Sequence, residues 1–354
     1  MNGLSRLFLL FLCLLVIGCE KKPSPKQSDD FNVLMGSNKS VWKFIETQED
    51  YQNLLLFKGL YEKNKALQSL SSDQVKIPKV IHFIWIGPAS FPKESIENVD
   101  SWADKHPDWT IKFWTDRRRP LPNKKMELNL ISGFELSELK QCFDESDNYA
   151  EKSDLLRYEI LYREGGLYVD HDVKCFKSFS PFHHHFDLYC GLEPPHKPVL
   201  SSSVSVNNNI IGTRSGHPIL KNAIELVKTR WAEISEAYPG TDKQSIIYRV
   251  ANRSFAAFDD SVRNLCGQES NKDIIFPAAY FNQIDGDFAI FAHHYYASTW
   301  FTDETKFEKN VRQRLISISR KNNQILLFNG VILTTNMVLF ICLIFQYRAL
   351  RKRR

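Results

Sequence analysis

Two aspartates with one histidine between them end the segment SDLLRYEILYREGGLYVDHD, residues 153–172. The segment is typical of a helix, a Gly-Gly break and a short apolar strand, so Asp170 and Asp172 come directly after a strand. In open α/β sheets, ligands bind outside the carboxyl ends of the strands. Carboxylates two residues apart on extended backbone point to one side, and their oxygens suit Mg²⁺ or Mn²⁺. The pattern predicts a divalent metal site that serves phosphate chemistry.

A second pair of charged residues precedes the aspartates. Asp154 and Arg157 lie three residues apart on the predicted helix, so they share one face. This spacing has two interpretations. The pair is either a surface ion pair of little energetic value, or a pair directed at a ligand in the crevice, and the local spacing does not decide between them.

The elements that must position these residues follow an alternating order. Residues 79–87 form a β-branched, apolar run that is typical of a buried strand in a parallel sheet. Residues 95–105 have helical spacing, and residues 109–114 form a second strand, which completes a βαβ unit. Residues 149–163 then form a helix, and residues 167–169 form the strand that leads to the aspartates. The order predicts an α/β fold.

Three motifs in this order resemble a known family. IPKVIHFIWIG, SDLLRYEILYREGGLYVDHD and FAHHYYASTW together resemble glycosyltransferase family 32, the glycosyltransferases with a DXD sugar-binding region. That family includes the initiating and the inositol-phosphoceramide mannosyltransferases, and clostridial glucosylating toxins carry related motifs. The resemblance extends over roughly residues 77–300. It implies a GT-A-like nucleotide-sugar-binding fold.

The resemblance also implies roles for individual residues. Asp170 and Asp172 would anchor Mn²⁺ (or Mg²⁺) and the diphosphate, with Ser298 as a further metal contact, and Arg157 would join the two aspartates in catalysis. The residues expected to bind the nucleotide sugar are Trp85, Asp154, Arg157, Asn208, Ser298 and Trp300. A structural role remains open for two of them, since Trp85 and Trp300 could each serve as a core aromatic.

The implied function is metal-dependent, retaining transfer of a hexose, mannose or glucose, from a nucleotide diphosphate sugar to a lipid, glycan or protein acceptor. Two alternatives share the same residues. One is a membrane-anchored, metal-dependent phosphohydrolase or nucleotidyltransferase, which would need further carboxylates around two metals. The other is a non-catalytic sugar-binding protein. The sequence does not identify the donor sugar, its nucleotide or the acceptor.

Composition excludes two other classes of protein. The net charge of +5 is concentrated at the end of the chain, where residues 348–354 hold five basic side chains. The remainder is close to neutral and offers no basic surface for nucleic acid. The seven cysteines form no CxxC pair, which argues against a zinc site.

The two ends of the chain are apolar and indicate a membrane. Residues 1–19 resemble a signal peptide, an uncleaved anchor or a lipoprotein signal with Cys19 as the modified residue. Residues 325–345 would span about 31 Å as a helix, enough to cross a bilayer. The basic residues at 346–354 would then be cytoplasmic, and the globular domain would lie on the other side.

Between these ends the sequence predicts three further segments. Residues 20–32 are a polar linker, residues 33–75 form a helical N-terminal subdomain, and residues 76–310 form the glycosyltransferase domain.

Overall fold

A mixed β-sheet forms the core of the chain, of which the computed structural model describes residues 29–69, 74–268, 270–287 and 289–297. The strands in these ranges are β1 Val80–Ile84, β2 Thr110–Thr115, β3 Met126–Leu130, β4 Gly166–Val169, β5 Val173–Cys175, β6 Leu188–Leu192, β7 Val206–Thr213, β8 Asp273–Phe276 and β9 Ala292–His294.

Helices cover the sheet and lead into it. The α-helices are α1 Phe31–Leu34, α2 Gln48–Asn64, α3 Ile96–Lys105, α4 Lys140–Glu145, α5 Tyr149–Glu164, α6 Ser180–His185, α7 Pro218–Ala237, α8 Lys243–Val250 and α9 Ala256–Leu265. Short 3₁₀ turns lie at Ser40–Phe44, Lys65–Ser69, Lys93–Ser95, Ile131–Gly133 and Ala278–Tyr280. A π-helical turn, Ala251–Phe255, joins α8 to α9.

The main sheet has the strand order β3-β2-β1-β4-β7-β6-β8. All neighbouring pairs are parallel except those that involve β7, which is antiparallel to both β4 and β6. The predicted βαβ unit is β1, α3 and β2, and the predicted α/β class is confirmed. A second, small sheet pairs β5 with β9 in antiparallel register, with Val173 opposite His294.

The Gly-Gly break ends α5 and turns the chain into β4. Gly165 and Gly166 have φ angles of +67° and +100°, a backbone region that favours glycine. A Cβ atom at Gly166 would lie 2.8 Å from Nε2 of His82 and 2.8 Å from the carbonyl oxygen of Val80. The close approach to β1 therefore requires glycine, and it lets β4 pair beside β1 with its carboxyl end at the site.

The N-terminal helix α2 packs against the far edge of the sheet. Thr47 and Asp50 form a reciprocal capping box at its start, which satisfies two otherwise unpaired amides. At its other end, Tyr61 shares a hydrogen bond of 3.0 Å with the hydroxyl of Tyr280, and the amide of Asn64 donates to the carbonyl of Asp273 at 2.7 Å. Buried polar contacts thus join α2 to β8 and the turn that follows it.

Several predicted segments lie outside the described residues. These are the signal or anchor at 1–19 with Cys19, the transmembrane helix at 325–345, the basic tail at 346–354, and the site residues Ser298 and Trp300. Among the helices within residues 29–297 that are described, none is both long and apolar enough to cross a membrane.

Candidate active site at the carboxyl end of β4

Asp170 and Asp172 flank a tight turn that joins β4 of the main sheet to β5 of the small sheet. The backbone amide of Asp170 donates to the carbonyl of Asn209 at 2.9 Å, and the amide of Val173 donates to the carbonyl of Asp170 at 3.2 Å. These bonds fix both ends of the turn. The aspartates therefore lie just beyond a strand end, on a rigid support.

One oxygen of Asp170 is held by the protein and the other is left for a ligand. Oδ1 accepts a hydrogen bond from the Tyr168 hydroxyl at 2.6 Å and lies 3.2 Å from Nη2 of Arg157. No donor among the described residues contacts Oδ2. Asp170 thus presents one oriented oxygen to the crevice.

Arg157 forms a buried ion pair rather than a surface one. Its Nη2 lies 2.9 Å from Oδ1 of Asp154, its Nη1 donates to the carbonyl of Asn208 at 2.7 Å, and its guanidinium stacks 4.1 Å above the Tyr168 ring. Its side chain is only 6% exposed. The surface interpretation of this pair is wrong, because Arg157 connects α5 with the metal-motif carboxylate of Asp170.

Asp154 is buried behind Arg157, with both oxygens engaged. Oδ1 accepts from Arg157 and from the side-chain amide of Asn208, and Oδ2 accepts from the hydroxyl of Ser254 on the π-helical turn. Burial raises the pKa of Asp154, and the charge of Arg157 and the bond from Ser254 offset only part of that rise. Asp154 therefore holds Arg157 in place.

Asn208 reaches this network through a large bulge in β7. Cys190 of β6 pairs with Ile211, whereas the next residue, Gly191, pairs with Asn207. The residues between them have no partner on β6, and bulges of this kind re-aim side chains near functional sites. The bulge turns the Asn208 amide onto Asp154, and its neighbour Asn209 supplies the carbonyl that holds Asp170.

His294 is a third potential metal ligand. One donor atom each from Asp170, Asp172 and His294 lies within 4.8 Å of the others, and Nε2 of His294 is 3.4 Å from Oδ1 of Asp172. Carboxylates and imidazole together suit a transition metal such as Mn²⁺ better than Mg²⁺, which prefers an all-oxygen shell. The donor set fits the predicted metal.

Asp172 is held as a carboxylate. Burial by itself would raise the pKa of Asp172, but the nearby His294 and the bond from the Ala297 amide outweigh that effect and lower it. The Ala297 amide donates to Oδ2 at 2.7 Å, and the Tyr295 amide donates to the Asp172 carbonyl at 3.0 Å. The charged form that a metal requires is thus favoured by the segment that carries His294.

Trp85 contacts His171, the central residue of the motif. Its ring meets the His171 ring edge-on at a centroid distance of 5.0 Å, and its indole nitrogen donates to the Ala89 carbonyl at 2.9 Å. His171 is turned away from the metal ligands, with Nδ1 2.8 Å from the hydroxyl of Ser95. Trp85 is partly exposed, and its contact with His171 places it beside the motif.

The structure therefore brings together most of the predicted site residues, namely Trp85, Asp154, Arg157, Asp170, Asp172 and Asn208. Ser298 and Trp300 lie outside the described residues, directly after the Ala297 amide that binds Asp172. The sequence interpretation set His294 aside as a metal ligand, because no carboxylate at a matching spacing accompanies His293 and His294 in the sequence. His294 lies in FAHHYYASTW, one of the three motifs that resemble family 32, and this position was the one indication in the sequence that it could belong to the site.

Comparison with known proteins bears on this site directly. Residues 92–188 match the family described as "Glycosyltransferase sugar-binding region containing DXD motif". This stretch of the chain is therefore similar to the glycosyltransferases with this region. The matched stretch includes α3, α5 and the Asp170–Asp172 motif, so the predicted resemblance and the predicted enzyme class are confirmed at the level of the family.

Three curated relatives illustrate the similarity of this chain to known proteins. Subversion of eukaryotic traffic protein A of Legionella pneumophila is 33% identical over 31% of this chain and 19% of its own length. Inositol phosphoceramide mannosyltransferase 3 of Schizosaccharomyces pombe is 28% identical over 44% of this chain and 38% of its own. Inositol phosphoceramide mannosyltransferase 1 of the same yeast is 25% identical over 80% of this chain and 78% of its own length. The chain spans less than two fifths of the first two relatives' lengths.

Proposed function

We propose that this chain transfers a hexose from a nucleotide diphosphate sugar to a lipid, glycan or protein acceptor in a Mn²⁺-dependent reaction on a GT-A-like fold. The observation that carries the proposal is the cluster of Asp170, Asp172 and His294 at a strand end, beside the buried cation of Arg157. A phosphohydrolase with two metals would need additional carboxylates, and the cluster of acidic and histidine ligands found among the described residues has only these three members.

Each residue of the cluster has a distinct part in this proposal. Asp170 and Asp172 would contribute one carboxylate oxygen each to the metal, and His294 an imidazole nitrogen. These three residues would hold Mn²⁺, which when bound would supply positive charge against the negative charge that grows on the departing diphosphate. Arg157 is a positioning residue, since its two terminal nitrogens contact Asp154, Asn208 and Asp170. It orients Asp170 and adds positive charge behind it.

The identity of the donor sugar nucleotide is the first point to establish by experiment. Two relatives named above are mannosyltransferases of inositol phosphoceramide, so mannose and a lipid acceptor lead our proposal for substrates. The full chain is incubated with GDP-mannose, UDP-glucose and UDP-galactose, with EDTA or with added Mn²⁺, and free sugar is measured. We expect hydrolysis of at least one donor with Mn²⁺ and none with EDTA. Absence of hydrolysis for every donor would contradict the proposal.

Attachment to a membrane belongs to the same proposal and is supported by the apolar composition of residues 7–17 and 325–345. We propose that the globular part lies on the non-cytoplasmic side. Protection of this part from added protease in sealed membranes from the expressing cell tests the orientation. In vesicles sealed with their cytoplasmic side outward, protection of the globular part agrees with the proposal, and its cleavage without detergent contradicts it.

A further inference from the structure

Glu193 is a carboxylate at the same edge of the sheet as the metal motif. It directly follows β6, just as Asp170 directly follows β4. Both strands are antiparallel to β7, which lies between them, so they run in the same direction. With neighbouring strands about 4.8 Å apart, the two backbones are separated by about 10 Å across the sheet edge. Glu193 and Asp170 therefore lie two strands apart along one edge of the sheet.

The backbone that carries Glu193 is held firmly. Its amide donates to the carbonyl of Ser205 at 3.0 Å, and two prolines follow it, which restrict its backbone to extended conformations. Further along the same loop, the Ser202 hydroxyl and the Ser203 amide both donate to Asp50 Oδ1 on α2 at 2.7 Å. Rigid supports of this kind suit a residue that must meet a reacting group.

The Glu193 side chain is largely enclosed and weakly paired. It is 18% exposed, and its carboxylate lies 3.5 Å from Nδ1 of His196, which is itself 42% exposed. Among the described residues, no lysine or arginine forms an ion pair with it. A carboxylate withdrawn from water without a strong partner costs stability, which is a common property of groups kept for a ligand.

The Glu193 carboxylate interacts electrostatically with His294 of the metal cluster. Burial raises the pKa of Glu193, and the nearby His196 and His294 partly counter that rise. The carboxylate is therefore close enough to the third metal ligand for electrostatic interaction.

We propose that Glu193 is a catalytic residue of the proposed transfer and contacts the donor hexose from the side opposite the diphosphate. The inference rests on the proposed function. As the bond between C1 and the diphosphate oxygen breaks, its electron pair leaves with the diphosphate, and positive charge develops at C1 and the ring oxygen. The Glu193 carboxylate stabilises this charge without bonding to the sugar. The acceptor oxygen then bonds to C1, and its proton passes to the departing diphosphate.

The test separates this role from binding of the nucleotide. Glu193→Gln and Glu193→Asp are made in the full chain, together with Glu97→Gln, which removes an exposed carboxylate (84% exposed) from α3. Turnover of the donor used by the wild type is measured, as is binding of the nucleoside diphosphate with Mn²⁺. For Glu193→Gln we expect kcat to fall by about 10² to 10³, with the Kd of the nucleoside diphosphate changed less than twofold. Glu193→Asp keeps the negative charge, so its kcat should fall less than that of Glu193→Gln.

The outcomes that overturn the role are distinct from those that overturn the function. Wild-type turnover together with an unchanged kcat for Glu193→Gln would refute the role alone. A glycosyl group found on Glu193 by mass spectrometry of the intact protein would also refute it, because the residue would then be a nucleophile. Absence of turnover by the wild type with every donor would refute the proposed function and, with it, the role of Glu193.

Discussion

Asp172 and His294 face each other at the start of the small sheet, with Oδ1 of the aspartate 3.4 Å from Nε2 of the histidine. The contact follows from the antiparallel register of β5 and β9, in which Val173 lies opposite His294. His294 lies beyond residues 92–188, the stretch that matches the sugar-binding family. The candidate metal cluster is therefore completed by a strand from outside the matched region.

Replacement of His294 by alanine should weaken the binding of Mn²⁺ to the enzyme. With one of three ligands lost, we expect the Mn²⁺ concentration for half-maximal donor hydrolysis to rise at least about tenfold. His184→Ala is the matched control, because His184 makes one hydrogen bond of 3.1 Å to the Gln74 carbonyl and lies outside the cluster. An unchanged Mn²⁺ requirement in His294→Ala would exclude the histidine as a ligand.

Asp50 should stabilise the loop that follows β6. Its carboxylate accepts from the amides of Glu46, Thr47 and Ser203 and from the hydroxyl of Ser202. Burial alone would raise the pKa of Asp50, but these bonds outweigh it and lower the pKa. Because hydrogen bonds to a charged group contribute about 1.5–3 kcal/mol each and overlap in effect, Asp50→Asn should lose about 2–4 kcal/mol of unfolding free energy.

Urea denaturation measures this loss. Asp104→Asn is the charge-matched control, because Asp104 is an exposed residue of α3 and its loss should change the unfolding free energy by less than about 0.5 kcal/mol. Equal stability of the two variants would contradict the stabilising role of Asp50.

The sequence predicts those elements of the fold that depend on neighbouring residues, and it does not predict those that depend on pairing between distant segments. The strand at 79–87, the helix at 149–163 and the Gly-Gly break depend on the apolar pattern and on glycine within one segment, and β1 and α5 confirm them. The bulge of β7 and the pairing of β5 with β9 depend on partners far along the chain. Asn208 and His294 reach the site only through those pairings, so spacing alone could not place them.

His106 should make the stability of the chain sensitive to pH. Its Nε2 accepts a hydrogen bond from the Phe179 amide at 2.9 Å, and its Nδ1 lies 3.0 Å from the Trp102 carbonyl, so the neutral ring with a proton on Nδ1 satisfies both. Burial lowers the pKa of His106 from 6.5 to about 4. Because the folded state resists protonation, the stability that neutral His106 provides is lost as the pH falls below 6.5.

The matching experiment compares the wild type with His106→Gln, whose amide can also donate and accept but does not titrate. The wild type should be more stable at pH 7.5, and its advantage should shrink by about 2 kcal/mol at pH 5. Urea denaturation at both pH values measures the difference. An advantage that stays constant with pH would show that burial does not suppress the protonation of His106.

The central claim is that Asp170 and Asp172 hold the metal that makes donor cleavage possible. The most direct measurement is Mn²⁺-dependent donor hydrolysis by Asp170→Asn and Asp172→Asn, with Asp108→Asn, at a surface ion pair with Lys79, as the control. An amide cannot supply the negative charge that each carboxylate offers to the metal. We therefore expect each site variant to lose at least about 10²-fold in kcat/KM, while the control keeps wild-type activity. Undiminished Mn²⁺-dependent hydrolysis in either site variant would contradict the account.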